Sequence, residues 1–494
     1  MPPQDICYRA LEARDRRFEG RFVTAVLTTH IYCRPGCPAR IPARRNVRFY
    51  ACPAAAEGAG FRPCLRCRPD ATAGSPAGAG TSATVTRALR LIEDGVLDRD
   101  GVEGLADRLG VTDRWLRRLF DEQLGASPLA VARTRRVHFA RRLIDDGVMP
   151  LEDIAQASGF GSARRLRAAI RATFHRSPAE LRGRRAPADF ADLGGQVLRL
   201  PARAPFDPHP IFAFFGGRAI PGVEAVADGV YRRTAEIDGD VGVLEVRAAP
   251  GDDALLVRWS GSSPRGLLSI ATRVGRMFDL AADVRLIGTT LARDPKLAVR
   301  WPRSGVRVPS GWDAFEVAVR ALLGQQVSVA AARTLAGRLV ARCATPLAAS
   351  DAAALTHVFP TPHAVGQANL DKLGLPQSRI DALQGMARAV ADGSLVLAAP
   401  EGVDAFVEHF SRLPGIGRWT AEYVAMRALA EPDAFPAGDL GVRKALAMNG
   451  RLPSERETRA IAEAWRPWRA YAALALWRDL SKPKPSNSKP RRRS

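Results

Sequence analysis

Four cysteines in two close pairs, Cys33-x3-Cys37 and Cys64-x2-Cys67, constrain this chain more than any other feature. Each pair fits on one turn, and twenty-six residues separate them. Two such pairs can close a tetrahedral site of four thiolates around one Zn2+, so residues 1–70 are expected to form a small metal-organised unit. The other three of the seven cysteines, Cys7, Cys52 and Cys343, lack partners at ligand spacing and read as ordinary buried side chains. Clustering of this kind points to metal in a reducing compartment rather than to disulfides. The stretch IYCRPGCPAR (31–40) and the arginines Arg34, Arg40, Arg44, Arg45 and Arg48 crowd cations around the thiolates. A purely structural site is the default for four cysteines. The cations suit a second possibility, a sulfur brought up to a polyanion.

The charge balance supports a polyanionic partner. The 494 residues carry a formal net charge of +22, unevenly spread. Residues 1–185 hold 33 Arg and no Lys against 20 Asp and Glu, while Lys482–Ser494 adds six cations and no acid. A basic front module and a basic arm fit nucleic acid, whereas so large an excess without a partner would repel itself. Forty-six per cent hydrophobic residues can fill several cores, and the length suits three or four domains. No run of about 18 apolar residues occurs, and MPPQDICYRALEARDRR lacks the apolar stretch of a signal peptide. A cytoplasmic monomer with no membrane partner is therefore expected.

Composition divides the chain into a multidomain α+β architecture. After the four-cysteine unit, ATAGSPAGAGTSA (71–83) reads as a linker. Residues 84–182 are Arg-rich with helical periodicity, and RGRRAPAD (182–189) is a second joint. Residues 190–300 contain GVYRRTAEI, VGVLEVRAA and ALLVRWS, which alternate as antiparallel strands do and predict a β/α domain. Residues 301–481 read as all-helical with Gly and Pro interruptions, and 482–494 as a disordered basic tail.

Within 84–182 the sequence repeats itself. RWLRRLFDEQLGASP (114–128) aligns with RRLRAAIRATFHRSP (164–178), fifty residues on, pairing Leu116 with Leu166 and Arg117 with Arg167. A short apolar helix ending in Gly precedes each copy: GLADRLG, then DIAQASG. Helix, Gly turn and Arg-studded helix, twice, make a double helix-turn-helix; one copy alone could be a plain bundle. Thr112 or Asp113, and Ser162, are the candidate N-caps. The segment resembles the DNA-binding domain of AraC-type transcription regulators. That resemblance implies promoter DNA and RNA polymerase as partners, with Arg117 and Arg167 facing DNA.

Residues 6–70, through FVTAVLTTHIYCRPGCPAR, NVRFY and GFRPCLRCRPD, resemble the N-terminal domain of Ada, the bacterial methylation-response protein. The resemblance implies that Cys33 accepts a methyl group from a DNA methylphosphotriester. Cys37, Cys64 and Cys67 then serve only as ligands, and Arg34 and Arg45 hold the backbone. Thiolate is the nucleophilic form of cysteine, and zinc keeps sulfur deprotonated at neutral pH. The triester carries no charge on its phosphate, so sulfur can approach. Methylation removes one negative charge from the site, and DNA affinity should rise. PARRNV departs from the family in lacking a Glu before the Asn. No Pro-Cys-His-Arg tetrapeptide occurs, so repair of O6-methylguanine is not expected.

LPGIGRWTA (413–421) and FPAGDLGVRK (435–444) organise the C-terminal half. Glycines two apart after a proline make a tight hairpin whose N–H groups can meet a phosphate, with a monovalent cation on its carbonyls. A helix C-cap turn would look similar. With AIPGVEAVAD, SGWDAFEVAVRALLGQQVSV and WRPWRAYAALALW, residues 190–480 resemble AlkA-like 3-methyladenine DNA glycosylases of the helix-hairpin-helix class. The resemblance implies that Asp439 is the catalytic carboxylate and that Gly415 and Gly417 grip double-stranded, alkylated DNA. Trp419, Tyr423 and Trp477 would line the base pocket, and Gln326 would fill the gap left by the flipped base, where relatives can carry an apolar wedge. The chemistry suits these residue types: aromatics stack an electron-poor base, and one carboxylate supports positive charge on the sugar. Asp439 could instead be a helix cap, and Trp465 and Trp468 read as core. Trp419 follows Gly-x-Gly-Arg where bifunctional relatives place Lys, so a monofunctional enzyme is expected. No cysteine follows Cys343, which excludes the iron–sulfur cluster of some relatives. The stretch FDPHPIFAFFGG (206–217) lacks the Trp expected in the family. The competing reading is a methylation-responsive regulator whose glycosylase half is inactive and only grips DNA.

Overall fold

The computed structural model describes residues 1–69, 82–147, 149–182, 196–351, 355–399 and 402–480. Most of the expected linker, and the basic tail 482–494, lie outside the described residues.

Around the cysteines lie four short strands, β1 (Val23–Val26), β2 (Ile31–Cys33), β3 (Val47–Tyr50) and β4 (Arg62–Pro63), in the order β3-β1-β2-β4. β4 runs parallel to β2 with Tyr32 opposite Pro63. The next residue along each strand is a cysteine, so this register sets Cys33 beside Cys64. A turn closed by Cys37 N–H on Arg34 O (3.1 Å) brings back the second member of the first pair. At Gly36 an added Cβ would lie 2.5 Å from Glu19 Oε1 and 2.8 Å from Arg16 Cγ, so a side chain there would displace these neighbours.

The fifty-residue repeat is visible in three dimensions. The helices Asp113–Leu124 and Ala163–Phe174 bury Leu116, Phe120 and Leu124, and Leu166, Ile170 and Phe174, at matching positions. That spacing is one face of a helix. Thr112, rather than Asp113, caps the first, accepting from Trp115 N–H at 3.3 Å; Ser162 caps the second through Arg165 N–H at 3.4 Å.

A five-stranded antiparallel sheet follows, from β5 (Gln196–Pro201), β6 (Glu224–Ala227), β7 (Val230–Ile237), β8 (Asp240–Ala248) and β9 (Ala254–Trp259), ordered β5-β9-β8-β7-β6. Two of its turns are Asp-Gly pairs, Asp228-Gly229 and Asp238-Gly239, with all four residues at positive φ. Such two-residue turns match the twist of the strands they join.

The C-terminal unit is helical around Ile287, Leu322, Leu339, Leu383, Val424, Trp465 and Leu476. It also carries a small antiparallel hairpin, β10 (Pro346–Asp351) with β11 (Leu355–His357). Tertiary pairing supports this hairpin: Thr356 N–H donates to Gly222 O at 2.7 Å and Thr234 Oγ1 to His357 O at 2.6 Å.

The units share cores. One apolar cluster joins Ile154, Leu166 and Phe174 to Tyr231, Leu244 and Trp259 of the sheet. Another joins Ala54 and Ala55 of the cysteine unit to Leu105, Leu116 and Phe120. Half-buried Glu57 accepts from Tyr32 Oη (2.9 Å) and from Thr134 Oγ1 (2.8 Å), and lies 2.7 Å from His138 Nε2. The residue before Cys33 is thereby tied to the long helix Pro128–Asp146.

Candidate active sites

The four cysteine sulfurs all lie within 4.8 Å of one another. Tetrahedral coordination at about 2.3 Å per Zn–S bond requires sulfurs close together in this way, and a shell of four buried thiols suits zinc. The donor set therefore fits the metal. Cys33 and Cys64 are the more accessible, at 9% and 8%, against 5% for Cys37 and 3% for Cys67. Exposure alone does not separate the first two. Arg34, next to Cys33, reaches buried Glu19 at 3.5 Å, so it is held in place beside the sulfur. Arg45 is exposed on the short turn Arg44–Asn46, while Arg44 pairs with Asp5. Arg117 and Arg167 both lie on the solvent faces of their helices, Arg117 3.5 Å from Asp113.

The second site is built from three helices. Arg418–Arg427 carries Trp419 and Tyr423 one turn apart, stacked at 5.4 Å between centroids and 21° between planes. Arg469–Leu480 carries Trp477, and Asp439 opens the short helix Leu440–Ala445. Asp439 is both cap and convergence point. Its Oδ1 accepts from Val442 N–H (2.9 Å) and Trp477 Nε1 (2.8 Å), and its Oδ2 from Trp419 Nε1 (3.1 Å). The cap reading of this residue holds, and it coexists with a position among the aromatics. Glu422, buried on the same helix as Trp419, accepts from Ala437 N–H at 3.2 Å and lies 2.8 Å from Arg459. That contact fixes the loop leading to Asp439.

Beside this pocket stands the hairpin. Gly415 has φ +76°, and a Cβ there would meet Ala382 Cβ at 2.6 Å, so only glycine fits. Gly417 has open space around it and caps the helix Arg418–Arg427. Gln325 ties the hairpin to the neighbouring loop by donating to Gly415 O and Thr420 Oγ1, each at 3.0 Å. Gln326 is exposed on that loop at φ +56°, its Oε1 held by Arg379 at 3.0 Å. It therefore lies at the surface beside the hairpin, outside the aromatic group.

Family models match four stretches. They are the metal binding domain of Ada over 6–70, a helix-turn-helix domain over 105–184, the AlkA N-terminal domain over 197–313, and the HhH-GPD superfamily of base excision DNA repair proteins over 319–470. A Mycobacterium tuberculosis protein, "Probable bifunctional transcriptional activator/DNA repair enzyme AlkA", is 45% identical over 97% of this chain and 96% of its own length. The chain belongs to this fused Ada–AlkA family. Two Escherichia coli proteins divide the likeness. DNA-3-methyladenine glycosylase 2 is 33% identical over 55% of this chain and 94% of its own. The bifunctional transcriptional activator/DNA repair enzyme Ada is 37% identical over 31% of this chain and 42% of its own.

In this fused Ada–AlkA protein, sequence reasoning missed two pocket residues, Phe214 and Arg427. The Arg427 guanidinium lies 4.5 Å from the Phe214 centroid, 5.7 Å from Tyr423 and 5.6 Å from Trp477. The unfamiliar stretch FDPHPIFAFFGG thus delivers an aromatic to the site from the helix His209–Gly216. Arg427 carried a periodic signal: it lies four residues after Tyr423 and eight after Trp419. Trp465 is core, fully buried, with its N–H on Asp294 Oδ2 at 2.8 Å; Trp468 packs partly buried against the same core.

Proposed function

We propose that Asp439 and Cys33 are the two reactive groups of this DNA repair enzyme and transcription activator. The C-terminal half releases alkylated bases, 3-methyladenine among them, from double-stranded DNA as a monofunctional glycosylase. The N-terminal unit takes methyl groups from DNA methylphosphotriesters. The observation that carries the first assignment is the clamp of two indole N–H groups on one carboxylate, inside a cage of rings and beside a hairpin built on a left-handed glycine.

In this reading the damaged nucleotide is extruded and its base stacks on Trp419, Tyr423, Trp477 and Phe214. The C1′–N bond breaks with its electron pair on the base. Asp439, oriented by its three donors, faces the positive charge that develops on the sugar. Water adds at C1′ and gives up its proton, leaving an abasic site and an uncut strand. Trp419 in place of a Schiff-base lysine is consistent with this outcome. Gly415 and Gly417 set the hairpin against a phosphate, the hairpin carbonyls would hold a monovalent cation, and Gln326 fills the vacated stack.

At the other site, zinc held by Cys33, Cys37, Cys64 and Cys67 supplies a deprotonated sulfur at neutral pH. Cys33 Sγ attacks the methyl carbon, and the C–O bond breaks with its pair on the phosphate. Arg34 and Arg45 hold the backbone. The paired helix-turn-helix units, through Arg117 and Arg167, address promoter DNA and bring RNA polymerase to it. The protein acts as a cytoplasmic monomer.

The deciding experiment measures base release from methylated duplex DNA by the wild type and by Asp439→Asn. Release of 3-methyladenine that nearly vanishes in the variant is expected. DNA binding by both proteins with no release by either would overturn the enzymatic reading, leaving a regulator with a gripping half.

A further inference from the structure

Arg427 ends the helix that supplies Trp419 and Tyr423, and its side chain is buried at 5% exposure. One Nη donates to Pro309 O at 2.7 Å, and its Nε has no hydrogen-bond partner. Among the described residues no carboxylate forms an ion pair with it, and three aromatic rings surround it instead. A second guanidinium, that of Arg218, stands 4.1 Å from the Phe214 centroid. Burial pushes the pKa of Arg427 down to about 10, which still leaves it charged at neutral pH. A pocket for cationic bases thus contains a resident cation.

Trp477 touches both ends of the resulting field: its ring lies near Arg427 and its N–H binds Asp439. We infer that Arg427 is a specificity-determining residue whose fixed charge opposes binding of cationic bases and drives bond-breaking by favouring the electron pair's move onto the base. The inference rests on the base-release reading above. When the C1′–N bond breaks, the base gains the bonding pair and its charge falls by one. A cationic base leaves neutral; a neutral base leaves as an anion and takes a proton from water. In both cases positive charge moves from the Arg427 end towards Asp439. The bound state differs: Arg427 repels the cationic base and is indifferent to the neutral one.

Single-turnover kinetics on duplexes holding one 7-methylguanine (cationic) or one hypoxanthine (neutral) test this. Across a pocket's width, at an effective dielectric of about 20, one charge is worth on the order of tenfold. For 7-methylguanine, Arg427→Gln should lower the maximal rate and the half-saturating concentration together, each about tenfold. For hypoxanthine it should lower the rate alone. Arg427→Lys should behave as wild type on both. An unchanged half-saturating concentration for 7-methylguanine, or a folded Lys variant as impaired as Gln, overturns the inference. Should the variants fail to fold, wild-type binding decides. It should hold a duplex with neutral 7-methyl-7-deazaguanine at least as tightly as 7-methylguanine, and tenfold preference for the cation overturns the inference. Loss of all release by the wild type would instead sink the glycosylase reading itself.

Discussion

Trp477 donates its indole N–H to Asp439 Oδ1 at 2.8 Å, the same oxygen that caps Val442. One contact thus joins the last described helix to the start of the helix Leu440–Ala445. It also fixes the carboxylate plane, because Trp419 takes the other oxygen. Trp477→Phe would keep a stacking ring and delete the donor. A hydrogen bond to a charged group is worth roughly 1.5–3 kcal/mol. The expected result is a fall of about 10- to 100-fold in maximal base-release rate, with binding to an abasic-site duplex retained. Equal rates for the two proteins would show that the clamp is incidental.

Cys33 is expected to be the methyl acceptor, and mass decides it. After incubation with methylated DNA, the peptide containing Cys33 should gain the mass of one CH2, while Cys37, Cys64 and Cys67 should not. Cys64, almost as accessible as Cys33, is the informative alternative. Removing zinc with a chelator should loosen residues 1–69, because the strands that present the ligands are only two to four residues long. Hydrogen exchange there should rise sharply, while exchange in the core around Leu322 and Val424 stays unchanged.

Arg117 and Arg167 occupy equivalent solvent-facing positions on the two Arg-rich helices. If each neutralises a phosphate, Arg167→Ala should weaken binding to a duplex and reduce the salt slope of log K by about one. The double variant should lose about two. A slope unchanged by either substitution would mean that these faces do not meet DNA.

Much of this organisation was legible because it rests on local pattern. Ligand spacing announced the zinc unit, and the fifty-residue repeat announced Leu116 and Leu166 as equivalent positions. What remained hidden depends on distant pairing. The β10–β11 hairpin draws support from Gly222 and Thr234, more than a hundred residues earlier. Phe214 becomes a pocket residue only when its helix packs beside Tyr423 and Trp477, and Arg427 reads as surface charge until that packing encloses it. The shared cores were hidden for the same reason, since a Gly/Ala-rich segment says nothing of how the units on either side of it pack.

Arg233 and Glu316 make the final case, since no sequence pattern marks them as partners. They meet at 2.8 Å, both almost wholly buried, with Glu224 and Arg320 completing the network between sheet and helical unit. Burial works against ionisation of Glu316, but Arg233 and Arg320 outweigh it and hold the carboxyl well below the usual carboxylate range. A depressed carboxyl contributes stability above its unfolded pKa of about 4.3 and loses it as pH falls through the folded value. Breaking a buried pair by removing one partner costs roughly 3–5 kcal/mol. Glu316→Gln should therefore be markedly less stable than wild type at pH 7 in denaturant melts. The gap should narrow as pH drops below about 4, where the carboxyl of the unfolded chain begins to bind a proton while the folded one stays ionised, and it should close as pH falls through the folded value. A gap that stays constant from pH 7 to pH 3 would mean that packing, not charge, is what Glu316 contributes.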